Sequence, residues 1–453
     1  MPSSACSHSR MTAVPSPHAK SAGYTRASPT ALLAASEPSG RVSRRSAQAG
    51  LASGRRRSEP SEEVESEIAL PPAPTYPGPL VLPGDDLAED PKYPTQSLRA
   101  WLRLKERNPI TDEKRTVYVV SPPAIDSSVD DMEKWAVPTY VKRNQPQLNS
   151  WLGSQPLTED IISYIRAFFT GLPVRRLESS LQFSRWDDNP KSYIGLECPT
   201  TSEVIGIRHR ADPTRLFPRQ LNLNDLLDAA LEILPDDAYC ILLLMPYDLY
   251  EDDADDFCCG RAYGASRIAV ISSARYNPAL DASQDVNEAH AWPLSHCAEY
   301  VRSLCAPLAA SKPRPKSSAL VIGCERVDSN TPLGAAIQAA SEALPDSRET
   351  YLLRVCRTAT HELGHCFGLD HCVYYACFMQ STSSVAEDVR QPPYACAVCV
   401  SKLGRATGSG EVGHVSALAD VCEGRSGAGW AALGAWASAR RRALDGKGEY
   451  IAE

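Results

Sequence analysis

A chain of 453 residues with 43% hydrophobic and 23% charged residues has globular composition and room for two or three domains, while 36 prolines mark stretches that do not pack. Residues 1–58 carry nine Lys or Arg against the single acid Glu37, a local +8, so the remainder holds −16 of the overall −8. That acidity argues against a duplex nucleic-acid partner, and the longest clean apolar run, Tyr239–Met245, is too short to span a bilayer.

In chain order, residues 1–92 are rich in Ser, Ala, Pro and Arg without a sustained hydrophobic period, and are expected to form a disordered tail. The first 58 have a composition shared by plain tails and by organellar transit peptides. Packed structure is expected from Tyr93. Arg115–Val120 reads as a strand, and Glu159–Leu172 as a helix with Ile161, Ile162, Ile165, Phe168 and Phe169 on its apolar face. Asn224–Leu234 reads as a helix capped by Asn222 or Asn224, followed by the apolar strand Ala238–Met245 and a further strand at Arg267–Ser273. Residues 277–345, with the basic stretch Ser311–Lys316, are read as a surface insertion holding a short strand at Ala319–Ile322. Leu352, Cys356, Ala359 and Leu363 form one stripe on a helix from about Arg348 to Phe367. Beyond residue 405 a Gly- and Ala-rich tail is expected to end in a helix, Trp430–Leu444.

The chemistry is concentrated on the Arg348–Phe367 helix. In His361-Glu362-Leu363-Gly364-His365 two imidazoles lie four residues apart, on one helical face, where both can reach one Zn2+. Glu362 projects beside them, placed to take a proton from a zinc-activated water, so no serine or cysteine nucleophile is needed. Gly368 is positioned to end the helix in a left-handed residue and turn His371 back as third ligand. Three protein ligands leave an open position, the mark of a catalytic site. The full pattern HExxHxxGxxH, followed by a methionine, is far more specific than HExxH alone. Asp370 is either a carboxylate supporting the helix exit or an ordinary solvated one. Cys372, Cys377, Cys396 and Cys399 suit a second, structural zinc; buried free thiols are the plain alternative. Fifteen cysteines, an odd number, without an apolar signal-peptide core fit reduced thiols and an intracellular protein, cytoplasmic or nuclear, or mitochondrial if residues 1–58 are a transit peptide. For an oxyanion partner Tyr374 and Tyr375 are candidates by proximity alone, with packing the plainer account of each. The acidic stretch Glu251–Asp256 is either a solvated loop or an attractor for a basic peptide or free α-amino group.

The segments HELGHCFGLDHC, YYACFMQ and CAVCVSKL, in that order, resemble the archaemetzincin family, and DDAYCILLLMPYDLY and FCCGRAYGASRIAVISSARYNP extend the likeness, which covers about Tyr93–Leu403 with gaps. The resemblance implies an α+β, metzincin-like fold: a twisted mixed sheet over an active-site helix, with a small zinc-stapled C-terminal part. It implies a peptidase domain over 93–405, Met379 as a Met-turn beneath the metal, and two zinc ions per chain, one catalytic and one structural. Arg267–Ser273 would then be the edge strand that pairs with an extended peptide or protein substrate. Cys258-Cys259 in place of a bulkier apolar pair, the 277–345 insertion and a slightly short Met379–Cys396 gap depart from the family pattern, and none removes a ligand or the base. The function so implied is zinc-dependent peptide hydrolysis, possible in an aminopeptidase-like form, with no nucleic acid or membrane involved; the alternative is a zinc-binding scaffold that no longer turns over substrate.

Overall fold

The structure is a computed structural model that describes residues 6, 8–42, 75–140, 151, 154–178, 181–186, 191–198, 203–306 and 324–448. Its centre is a five-stranded sheet in the order Gly260–Tyr263, Ile268–Ser272, Ala238–Met245, Thr116–Val120, Val174–Arg176. All neighbours run parallel except the edge pair, where Gly260 opposes Ile271 and Tyr263 opposes Ile268. The strand Ala238–Met245, buried at every residue, matches the expected one end for end. Its side chains alternate between two cores. Cys240, Leu242 and Leu244 join Val355, Ala359 and Leu363 of the central helix Ser347–Cys366. Ile241, Leu243 and Met245 join Leu223, Leu226 and Leu227 of the helix Leu223–Glu232, whose first turn is capped by the Asn222 side chain. An unbroken apolar run is what a parallel strand covered on both faces requires.

A second sheet, in the order Asp248–Tyr250, Gln220–Asn222, Glu203–Arg210, Tyr193–Cys198, Gln182–Ser184, Ala124–Ile125, closes the second core. None of its strands is signalled by long apolar periods. One buried ion-pair group joins this sheet to the first. Arg275, just past Ile268–Ser272, donates to both oxygens of Asp248, at 2.8 and 2.7 Å, and to Thr214 Oγ1 at 3.1 Å, with Asp212 at 3.5 Å. The side chains of Arg275, Asp248 and Asp212 are at most 4% exposed. Arg275→Met is therefore expected to cost about 3–5 kcal/mol, because it strands a buried carboxylate, and the double substitution with Asp248→Leu should recover much of that loss in urea titrations. If single and double variants melt alike, the pair contributes no coupling.

Three expectations are corrected. The described parts of 1–92 are packed: Arg10–Thr12 pairs antiparallel with Cys324–Arg326, short helices Pro17–Ala22 and Pro29–Ala35 start at the Ser16 and Ser28 caps, and Met11, Leu32, Tyr76 and Val81 are buried. Apolar residues there are too few for a periodic signal, and order comes from docking on the rest of the chain. Residues 1–5, 7 and 43–74 lie outside the described residues, as does the strand expected at Ala319–Ile322. The 277–345 stretch is no simple surface insertion: Leu280 and Trp292 are buried, and Thr331 caps a helix, Pro332–Glu342, that packs along the C-terminal helix Ala428–Gly448. Finally, Ile268–Ser272 is an interior strand, and the edge belongs to Gly260–Tyr263. The C-terminal segment adds a helix at Glu411–Cys422 and buries Trp430 and Trp436 in the main core. Among the described residues no helix is long and apolar enough to cross a membrane.

Candidate metal centre and cleft

The central helix begins at Asp346, whose carboxylate accepts from the backbone N–H of Arg348 and Glu349, and runs beneath the edge strand to Cys366. One turn apart on it, His361 donates Nδ1–H to the Phe378 carbonyl at 2.7 Å and His365 donates Nδ1–H to the Leu369 carbonyl at 2.8 Å. A carbonyl can only accept, so both Nε2 atoms keep their lone pairs. Those atoms face each other 3.3 Å apart. Two ligands of one tetrahedral zinc, each about 2.0–2.1 Å from it, stand about 3.4 Å apart, so the spacing fits a shared ion. Gly368 (φ +75°) ends the helix as expected, and the returning chain brings the His371 ring within 5.4 Å of His361 and 5.0 Å of His365. The ligand atoms of all three lie within 4.8 Å of one another. Burial pulls His361 well below the ordinary imidazole range and His365 down to about 4, which keeps both rings in the neutral form a metal requires.

Glu362 lies on the flank of this triad, 7% exposed, and burial pushes its carboxyl up to about 8 against the opposing pull of Arg261 and Arg357. A dication at the imidazoles would draw it back down. The edge strand passes so near that a Cβ on Gly260 would stand 3.0 Å from Glu362 Cγ and 3.1 Å from Oε1. Gly260→Val is thus expected to displace the carboxylate and reduce peptide cleavage with zinc content unchanged; equal cleavage by variant and parent would show that the strand yields. Beneath the helix Met379 is fully buried, its Sδ only 2.5 Å from where a Cβ on Gly364 would be, and its carbonyl accepts from Cys372 N–H at 2.8 Å. Met379 therefore packs directly against the turn of the helix between His361 and His365.

The four cysteines also come together. All are buried, with sulfurs within 4.8 Å of one another, and Cys372 and Cys396 stand 3.6 Å apart. Two thiolates about 2.3 Å from one tetrahedral zinc would be about 3.8 Å apart. Hydrogen bonds from Cys377, Cys396 and Cys399 hold the Cys372 thiol well below its usual value. Cys396 stands at the N-cap position of the helix Ala397–Thr407 and Cys399 lies in its first turn. Cys372 directly follows His371, so the two centres share backbone.

Other side chains shape the site without any motif to announce them. Tyr93 donates to Asp370 Oδ1 at 2.6 Å, and the same oxygen accepts from His371 N–H at 2.8 Å, so Asp370 fixes the third imidazole's backbone. Gln96 and Trp101 bind the carbonyls of Gly368 and Phe367 at 3.0 and 2.9 Å, clasping the helix exit. Arg357, one turn before His361, is buried in an ion pair with Asp388, which also accepts from Tyr276 at 3.3 Å. Gln380 lies 3% exposed at the cleft with neither amide atom hydrogen-bonded. Tyr374 and Tyr375 are buried away from the cleft, in keeping with packing. Asp255 and Asp256 line its rim, although Asp255 already accepts from the N–H of Glu251 and Asp252. The cleft measures about 950 Å3, room for several residues of an extended peptide.

Comparison with known proteins follows the same residues. The profile of Peptidase family M54 matches residues 328–405, which contain all seven candidate ligands, Glu362 and Met379. The chain is 24% identical to Archaemetzincin-2 of Macaca fascicularis over 352 residues, 77% of this chain and 76% of that protein. It is 41% identical to Archaemetzincin of Methanopyrus kandleri over 70 residues, 16% of this chain and 40% of that one. The chain is thus similar to archaemetzincins, through the segment that holds the candidate ligands and, at lower identity, over most of its length. It is a zinc metallopeptidase, a hydrolase with a peptide or protein substrate. The crystal structure of archaemetzincin from Methanopyrus kandleri aligns with 66% of this chain and 99% of its own, at 18% identity and a TM-score of 0.32.

Proposed function

We propose that this protein cleaves short or unfolded peptides, with catalytic zinc on His361, His365 and His371, Glu362 as general base and then general acid, and a second, structural zinc on Cys372, Cys377, Cys396 and Cys399. The supporting observation is the pair of unprotonated Nε2 atoms 3.3 Å apart, with His371 and the buried Glu362 beside them at the floor of the cleft. Zinc held there supplies a Lewis acid for the peptide carbonyl and water with a pKa near about 7. The chain's residues do the rest. The Phe378 and Leu369 carbonyls orient the two helical imidazoles. Glu362 takes a proton at its carboxylate as water attacks, and delivers it to the departing amine. The free side of Gly260–Tyr263 aligns an extended substrate by backbone pairing. An aminopeptidase-like preference for a free α-amino group rests on Asp255 and Asp256 at the rim.

Zinc content and cleavage of a mixed peptide library, measured together on the full chain, test this reading. His365→Ala should lose one zinc equivalent and all cleavage, whereas Cys399→Ser should lose a different equivalent. Full zinc with no cleavage by the parent would favour the scaffold alternative. Unchanged zinc in His365→Ala would remove the histidine assignment.

A further inference from the structure

Far along the chain from the zinc signature, a second set of metal-binding side chains converges from two distant stretches of sequence. The strand Arg10–Thr12 pairs with Cys324–Arg326, and Met11 bridges Cys297, which lays Cys6 and His8 against residues 290–299. Cys6 Sγ stands 2.9 Å from Cys297 Sγ and donates to Glu299 Oε2 at 3.5 Å. The ligand atoms of Cys6, His8 and His290 lie within 4.8 Å of one another, and those of Cys6, Cys297 and Glu299 form an overlapping group, with Cys6 common to both. The rings of His8 and His290 meet edge to face at 5.3 Å, and Tyr300 stacks flat on His290 at 4.0 Å and 8°, which fixes that ring's plane.

The nitrogens carry the argument. His8 Nε2 and both ring nitrogens of His290 are shut off from solvent, and none has a hydrogen-bond partner. Leaving buried imidazole nitrogens unpaired costs about 1–3 kcal/mol each, and a packed segment has no reason to collect two such rings beside two thiols unless something satisfies them together. One thiolate and two imidazoles, those of Cys6, His8 and His290, supply three of the four places of a tetrahedral zinc, and a soft thiolate selects against Mg2+ and Ca2+.

We propose that Cys6, His8 and His290 hold a zinc ion, separate from the two centres of the peptidase and independent of their assignment. Its effect is to rivet residues 8–42 to the body of the enzyme. That segment reaches the catalytic region: Tyr24 donates to the Val373 carbonyl at 2.8 Å, two residues past His371, and Ser16 donates to the Val81 carbonyl at 2.6 Å. The ion would also displace the Cys6 thiol proton, which leaves to solvent as the thiolate binds.

The test uses the full chain under reductant, labelled with iodoacetamide and mapped by peptide mass, together with zinc content. In the parent, Cys6 should resist labelling. In the His8→Ala/His290→Ala double variant Cys6 should label, one zinc equivalent should disappear, and peptide cleavage should persist. Continued protection of Cys372, Cys377, Cys396 and Cys399 in the same digest reports that the variant is folded. Equal labelling of Cys6 in parent and variant, or equal zinc content, overturns the proposal. So does protection of Cys6 that vanishes whenever reductant is present, since that marks a disulfide with Cys297 rather than a metal.

Discussion

Glu362→Gln is expected to slow peptide cleavage by about 10²–10⁴-fold, the usual contribution of a positioned general base, while zinc content stays at the parental value. The substitution preserves shape and removes only the ability to accept a proton. Packing around the side chain is tight, with Gly260 against Cγ and Oε1, so glutamine is a better probe than alanine, which would open a void next to the edge strand. The loss should fall on kcat more than on KM, because the proton moves in the transition state and not on binding. A variant with parental kcat would remove Glu362 from the chemistry, and loss of zinc along with activity would make it a structural residue instead.

Cys377→Ser should be the most destabilising single change in the zinc-signature region. Its sulfur accepts from the Cys396 backbone N–H at 3.3 Å and belongs to a fully buried cluster. Structural zinc in small peptides contributes about 10–16 kcal/mol of apparent binding free energy, more than the about 5–15 kcal/mol by which a whole domain is stable. Folding of residues 370–405 should therefore require the ion. Because Cys372 adjoins His371 and bonds through its N–H to the Met379 carbonyl, the defect should spread to the catalytic imidazoles. Circular dichroism melts with and without added zinc check this: the parent should sharpen and rise in Tm with zinc, the variant should not. Equal melts would return the cluster to buried free thiols.

The parts of the molecule legible in the sequence are those where one local pattern dominates. Ser347–Cys366 was readable because its apolar stripe and ligand spacing share the helical period, and Ala238–Met245 because a short apolar run bounded by Pro235 and Pro246 has few other uses. The edge strand was misplaced for a physical reason. Ile268–Ser272 is apolar because it is buried on both faces, which is the property of an interior strand, whereas Gly260–Tyr263 is short, alternates between half-buried and exposed, and begins with a glycine that resembles a turn. Tyr93, Gln96 and Trp101 were invisible because their partners, the Asp370 carboxylate and the Gly368 and Phe367 carbonyls, lie about 270 residues away, a relation no local pattern encodes. The same holds for Cys6 and His8, which gain meaning only beside His290.

The C-terminal helix Ala428–Gly448 bears on how the catalytic helix is held. Trp430 Nε1 donates to the Glu349 carbonyl at 3.0 Å, in the first turn of the helix that carries His361 and His365, and Trp436 reaches the Thr75 carbonyl at 3.3 Å. A nascent chain synthesised through residue 405 already contains every candidate zinc ligand and Glu362, yet lacks the wall against which the catalytic helix rests. A chain cut after residue 405 should therefore hold zinc yet lose thermal stability in the helix Ser347–Cys366, a loss that a melt of the shortened chain would read.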